Sequence, residues 1–432
     1  MALTNSPTVG MEVKFGTASF RTLRLNFTWT VLGNALYTAT QWGILVVVAR
    51  LGNPEAVGQF SLGLAITTPI MLFAGLQLRA VQATDALTQY RFQDYAGLRI
   101  VMTSAGASVI FGISGLFYRG DAALAIAAFA VSKGIDSLSD VVYGFWQQHE
   151  RMDLIAISLI LRGLLSLIGA TIGFAMVHTV WAAVCGMAAA WAVVFMAFDV
   201  RRGIVLANEL NQAVWPRFSA GRMTRLIHLS MPLGLVTMVL SLNSSVPRYM
   251  ISHFRNVSEL GVFSALGYIM MAGTMVVGAL GQSAIPRLSL FAAQGRTKEF
   301  RRLSLHLILI GMALGMCGVL AASFFGGRII TMVYGLKYAH NERLFFWLMV
   351  AAASGYMASF CGYSLTAARQ FRIQMPLFSS ITLLTILLSY AMVKKGGVVG
   401  VAQAAAIVGF VQMAATMVVL SSTKTWRLTS TS

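Results

Sequence analysis

Apolar runs of about 20 residues recur along the whole chain, separated by short connectors rich in basic residues, glycine and proline. Coiled as a helix at 1.5 Å per residue, a run of that length crosses the roughly 30 Å hydrocarbon core of a bilayer. The runs fall near residues 25–48, 57–78, 97–117, 122–146, 154–176, 180–199, 226–247, 259–283, 303–326, 344–367, 374–393 and 397–420. Helix is favoured because each helix satisfies its own backbone hydrogen bonds, which lipid cannot do. The pattern predicts an all-α membrane protein of about twelve transmembrane helices.

An internal repeat divides these spans into two six-helix halves. Shifting the chain by 203 residues lays Asn53, Gly58, Phe60 and Ser61 onto Asn256, Gly261, Phe263 and Ser264, and a shift of 218 lays Gly144 and Arg151 onto Gly362 and Arg369. The longer connector near residues 327–343 accounts for the difference. The expected organisation is residues 1–205 as the N-terminal half, 206–225 as a basic cytoplasmic linker and 226–432 as the C-terminal half. Halves of equal span number and orientation are related by an axis along the membrane normal. The linker reads equally well as a hinge between the halves and as a solvated loop that only sets topology.

Composition agrees. Hydrophobic residues make up 57% of the 432 positions and charged residues 11%, against about 25% charged in soluble domains. The net charge of +18 suggests nucleic acid at first sight, but its carriers are spread through short connectors rather than gathered in one patch, so no nucleic-acid partner is expected. That spread is a topology signal. Twenty-one Lys and Arg residues fall on the side of the termini and nine on the other, with Lys133 and Arg162 inside spans. The positive-inside rule places both termini in the cytoplasm. Lys14, Arg21 and Arg24 ahead of the first run resemble a signal-peptide n-region, but the run is too long for one and reads as an uncleaved first span. Cys185, Cys317 and Cys361 lie far apart inside spans without metal-ligand spacing, and read as free core thiols.

Polar residues inside the spans carry the chemistry. In the fourth span Lys133, Asp136, Asp140, Tyr143 and Gln147 occupy an arc of about 80°, with Val131, Leu138, Val142 and Phe145 opposite. A charge at mid-bilayer costs at least about 2.5 kcal/mol, so these three must face a partner or water. Arg162 in the fifth span either grips phosphate or carboxylate oxygens with its planar fork or neutralises Asp136 or Asp140. Two cations against two carboxylates sum to zero, so a cationic cavity does not follow. Asn34, Thr38 and Gln41 form a polar stripe on the first span, and the 203 shift turns them into Thr237, Ser241 and Ser244 on the seventh. These stripes either bond helix to helix or line a water-filled cavity shared by the halves, with the two spans facing across it. Gly163, Gly169 and Gly173 read as close-packing surfaces. Pro69, Pro232, Pro247, Pro286 and Pro376 permit bends. No phosphate loop, His-Glu-x-x-His or nucleophile elbow is present, so neither an enzyme nor a cofactor is expected.

The stretch from Asn26 to Asp85, with Ala-Val-Gly-Gln-Phe-Ser-Leu-Gly-Leu-Ala-Ile and Leu-Gln-Leu-Arg-Ala-Val-Gln-Ala-Thr-Asp, and the stretch from Lys133 to Arg162, with Gly-Phe-Trp-Gln-Gln-His-Glu-Arg-Met-Asp and Leu-Arg-Gly, resemble bacterial polysaccharide exporters. The resemblance is to the O-antigen flippase and polysaccharide-transporter branch of the multidrug, oligosaccharidyl-lipid and polysaccharide superfamily. It implies a flippase of the bacterial inner membrane. Such a protein moves an undecaprenyl-diphosphate-linked oligosaccharide outward by alternating access, for polysaccharide or lipopolysaccharide synthesis, alongside membrane lipids and polysaccharide assembly proteins. It also implies that Lys133, Asp136, Asp140 and Arg162 are the buried charges of the cavity. Alternatives are a multidrug or cation antiporter of the same superfamily, whose first helix would carry acidic residues absent here, and a membrane-embedded polymerase or ligase, which would need a larger external loop.

Overall fold

The computed structural model describes residues 20–85, 89–368 and 370–422, with side chains described for all of these except 20–25, 27, 371 and 372. Of the basic residues that orient the chain, Lys14, Arg369, Lys424 and Arg427 lie outside the described residues, as do the side chains of Arg21, Arg24 and Arg372.

The elements are α1 (Phe20–Leu51), α2 (Pro54–Gly75), α3 (Leu78–Thr84), α4 (Phe92–Phe117), α5 (Gly120–Gln148), α6 (Met152–Val177), α7 (Val180–Val194), α8 (Arg201–Glu209), α9 (Ala220–Phe254), α10 (Val257–Ala293), α11 (Thr297–Tyr334), α12 (Glu342–Ala367) and α13 (Phe371–Ser422). No strand occurs among the described residues. Among the described residues, eleven helical stretches are long and apolar enough to cross a membrane, and the last is broken at Gly397, whose φ of 58° and ψ of −141° turn the chain. Its arms, 371–396 and 398–422, bring the spans to twelve in this multi-pass membrane protein.

Several boundaries differ from the hydropathy reading, each for a local reason. The second span continues beyond a break at Leu76 and Gln77, both at positive φ, into α3. The sixth does not stop at residue 199, because a π-helical turn over Phe195–Val200 carries it on into α8. The connector to α9 is therefore residues 210–219. It is anchored too: the Arg217 backbone N–H donates to the Gln93 carbonyl at 3.0 Å, and Gly97 leaves no room for a Cβ beside that strand of backbone. Cys185 and Cys317 are exposed and only Cys361 is buried, so two of the three free thiols are not in the core. In a bilayer the outer surface of the bundle is itself apolar, and a thiol fits there as well as inside.

Many of the packed pairs are not neighbours in the chain. α1 lies on α6, α6 on α7, and α5 on α4 and α7; in the second set α12 is flanked by α10, α11 and α13, and α13 also packs on α9. The three glycines of α6 pack as the sequence suggests. A Cβ on Gly169 would overlap the Gly186 carbonyl of α7, one on Gly173 the Ala182 carbonyl, and one on Gly163 would crowd Thr40 of α1. α2 joins the sets by packing on both α9 and α10.

The two sets meet most closely at the end opposite the α8–α9 connector, where repeat-matched residues take matched places. Asn53 and Asn256 each cap a helix, accepting from Ala56 N–H at 2.9 Å and Glu259 N–H at 2.7 Å. Ser61 and Ser264 are both buried. Around this crossing Arg50 donates to the Met332 and Val333 carbonyls, Lys337 to the Gly52 carbonyl at 2.7 Å, Trp42 to the Tyr334 hydroxyl at 3.1 Å, and Tyr249 to the Ala65 carbonyl. The structure is latched at this end.

Candidate substrate cleft

α5 presents Lys133, Asp136, Asp140, Tyr143 and Gln147 toward a cleft of about 630 Å³ walled by α1, α2, α3, α4, α5 and, through Leu159, α6. Asp140 is the meeting point of two guanidinium groups. Arg99, 3% exposed on α4, donates to its Oδ2 at 2.9 Å, and Arg79 on α3 reaches its Oδ1 at 3.4 Å while donating to Gln147 at 2.9 Å. Arg99 also reaches the Ser137 hydroxyl at 3.4 Å, which pairs with Thr103 at 2.7 Å. The break after α2 is what brings Arg79 here, since it redirects α3 against α5.

One turn of α5 away, Asp136 accepts from Arg162 at 2.9 Å and lies 3.7 Å from Lys133. Arg162 is fully buried, between Ser158 and Ser166, whose small side chains leave space along α6 for the guanidinium. Trp191 of α7 covers its face at 4.6 Å. Arg162 does not line the cleft; Asp136, Lys133, Arg99 and Arg79 do. Of the two roles open from the sequence, this position favours holding Asp136 over touching a ligand.

Behind Arg162 runs a buried chain of hydroxyls. Arg162 donates to the Tyr143 oxygen at 3.3 Å, Tyr143 and Ser158 are 2.6 Å apart, and Ser158 donates to Asp199 Oδ1 at 2.6 Å. Each hydroxyl has one proton to give, so Tyr143 donates to Ser158 and the order of donors is fixed from cation to carboxylate. The π-helical turn contains Asp199 and so sets where its carboxylate meets α6.

The polar stripes on α1 and α9 are not brought to this cluster. Asn34 is exposed and donates to the Thr30 carbonyl at 2.7 Å, and Thr38 donates to the Asn34 carbonyl at 2.8 Å. Gln41 reaches Ser166 on α6 at 3.3 Å. On α9, Thr237 donates to the Gly234 carbonyl at 3.0 Å, Ser241 is buried, and exposed Ser244 donates to the Ser241 carbonyl at 2.9 Å. α1 contributes Tyr37 to the cleft instead.

Residues 23–292 match the family model described as polysaccharide biosynthesis protein. The chain belongs to that family. Over 391 residues it is 24% identical to a capsular polysaccharide biosynthesis protein, CapF, of Staphylococcus aureus, covering 90% of this chain and 96% of that one. Its fold is that of an inward-facing multidrug resistance transporter of the MATE family within the MOP superfamily (TM-score 0.69, 14% identity, 91% of this chain and 98% of the other). It is similarly that of the lipid II flippase MurJ in an inward closed conformation (TM-score 0.67, 14% identity, 94% and 88%).

Within this family member, sequence reasoning missed Arg79, Arg99, Tyr37, Trp191 and Asp199. Arg79 and Arg99 lie at span edges and read as connector cations. Their signal was a stripe on α5 with more carboxylate than its own span could neutralise at Asp140. With them, four cations gather around Asp136 and Asp140. The zero charge balance expected from the fourth and fifth spans alone becomes an excess of positive charge.

Proposed function

We propose that the chain is a flippase that moves an undecaprenyl-diphosphate-linked oligosaccharide from the cytoplasmic to the outer leaflet of the bacterial inner membrane. The observation that carries this reading is the cationic surplus on the cleft: Arg79, Arg99 and Lys133 face it beside two carboxylates, and Arg162 backs them. Guanidinium forks grip diphosphate oxygens bidentately, and the low local dielectric strengthens the contact. A cationic drug would be repelled by the same surplus. Family membership supports a polysaccharide product, for which a capsular, lipopolysaccharide or O-antigen precursor is suitable cargo, with polysaccharide assembly proteins as partners.

Both termini and the α8–α9 connector are cytoplasmic in this reading, from the twenty-one to nine distribution of Lys and Arg. The latched end is then external, and the state is closed to the outside. Transport requires the α2–α10 crossing to part while the cleft, carried wholly by the first six spans, moves with them. The test is translocation of a fluorescent undecaprenyl-diphosphate oligosaccharide in proteoliposomes, scored by a glycosidase that attacks only exposed sugar. Protein-dependent loss of protection supports the reading, and rates equal to protein-free vesicles overturn it.

A further inference from the structure

A second cavity of about 470 Å³ lies on the other side of α5 from the cleft, almost entirely apolar. Its walls include Ala96 and Ile100 of α4, Leu138 and Val142 of α5, Ile204 of α8 and Trp215 of the connector. It backs directly onto the ion pairs. On α4, Ala96 and Ile100 flank Arg99 in sequence; on α5, Leu138 and Val142 flank Asp140, and Arg99 and Asp140 meet at 2.9 Å on the cleft side.

The mouth of this cavity has the chemistry of a membrane surface. Trp215 and Phe218 are 82% and 62% exposed, and Arg201, Arg202 and Arg217 next to the lining residues are exposed as well. Aromatic rings interleaved with arginines occupy the interfacial layer, where the rings meet headgroups and the cations attract anionic lipid. The connector is held over the cavity by the Arg217–Gln93 backbone bond, which fixes Arg217 beside the opening, while Arg201 and Arg202 open α8 between the lining residues Val200 and Gly203.

We infer that this cavity binds one acyl chain of an anionic phospholipid, with its headgroup held by Arg201, Arg202 and Arg217, and that the lipid braces α4 and α5 behind the Arg99–Asp140 pair. Charge complementarity names the headgroup class, and the apolar walls name the chain. A zwitterionic lipid offers the same chain without the net negative charge. The functional half of the inference rests on the flippase reading; the binding half does not.

The experiment reconstitutes the full chain in phosphatidylcholine vesicles containing brominated-chain phosphatidylglycerol or brominated-chain phosphatidylcholine. Tryptophan quenching is followed, with Trp215→Phe identifying the Trp215 component. Half-quenching of that component at a several-fold lower mole fraction of the anionic lipid is expected. Arg201→Gln, Arg202→Gln and Arg217→Gln combined should erase the difference, and Ile100→Phe, which adds bulk to the cavity wall without adding a fluorophore to the tryptophan signal, should lower the quenching of the Trp215 component in both lipids. Equal quenching of the wild type by the two lipids overturns the proposal, without recourse to any variant. Relief of quenching by added undecaprenyl phosphate at equimolar amounts also overturns it, assigning the cavity to the isoprenoid. Saccharide translocation several-fold faster with phosphatidylglycerol than without is expected; equal rates overturn the bracing role. Preferential quenching with no translocation in any vesicle would sink the flippase reading and leave the lipid site standing.

Discussion

Gly58 of α2 and Gly261 of α10 lie at one crossing, each pressed against the other helix's backbone: a Cβ on Gly58 would overlap the Val257 carbonyl, and one on Gly261 the Pro54 carbonyl. They are the repeat-matched glycines of the sequence. Backbones approach this closely only where side chains are absent, which gives the two sets of helices their tightest contact.

A side chain there forces the crossing apart. Gly58→Val should destabilise the protein by about 1–3 kcal/mol, the usual cost of overpacking, whereas Gly112→Ala, which meets nothing within 4 Å, should be neutral. Thermal unfolding in detergent checks both. A Gly58→Val protein as stable as wild type would show that the crossing tolerates separation.

Arg162 and Asp136 form a pair with one member fully buried and the other at 36% side-chain exposure. Losing Asp136 leaves the buried guanidinium without its carboxylate and costs about 3 kcal/mol, whereas losing Arg162 leaves Asp136 half-exposed beside Lys133 at 3.7 Å and costs less. Arg162→Ala and Asp136→Asn should each lower the folded yield, and Arg162→Leu with Asp136→Leu together should recover part of it. Yield is read by size-exclusion fluorescence. Normal yield for both single variants would return Arg162 to a ligand-binding role.

Arg79 is different, since it is a third exposed and lines the cleft. Losing one charge-assisted contact to a ligand costs about 1.5–3 kcal/mol, or roughly ten- to hundred-fold in affinity. Arg79→Gln should therefore fold at normal yield and translocate lipid-linked saccharide at a small fraction of the wild-type rate at limiting substrate. Wild-type rates would remove Arg79 from the site.

Topology has its own check. Reporter fusions at residue 210 and after the last residue should read cytoplasmic, and a fusion near residue 335, just before the Leu336–Tyr338 turn, should read external. An external signal at residue 210 would reverse the orientation.

How much of this the sequence could reveal depends on the range of the interaction. Span number and the α5 stripe follow from periods of one helix and were readable. So were the close-packing glycines of α6, because small residues at spacing 4 and 6 have few other uses there. What escaped required knowing which helices are neighbours. Arg99 is a connector cation until α4 is laid on α5, and Asp199 is the end of an apolar run until a π-helical turn prolongs the helix through it. The Asn34 and Ser244 stripes show the converse: a polar side chain on a membrane helix can bond the carbonyl three or four residues back, so a stripe alone does not reveal a cavity.

Gly397 also has a bearing on how the chain crosses the bilayer. Without its turn, α13 would be one rod of 52 residues, roughly 78 Å long, more than twice the hydrocarbon thickness. With it, the arms double back as a hairpin whose tip carries Lys394 and Lys395 to the face opposite residue 422. Lys394 is received there by the Tyr390 hydroxyl at 2.5 Å and by the ring of Phe254 at 5.4 Å. The two arms therefore cross the bilayer in opposite directions. One glycine at positive φ thus makes two membrane crossings out of one helix and returns residue 422 to the face from which the first arm set out.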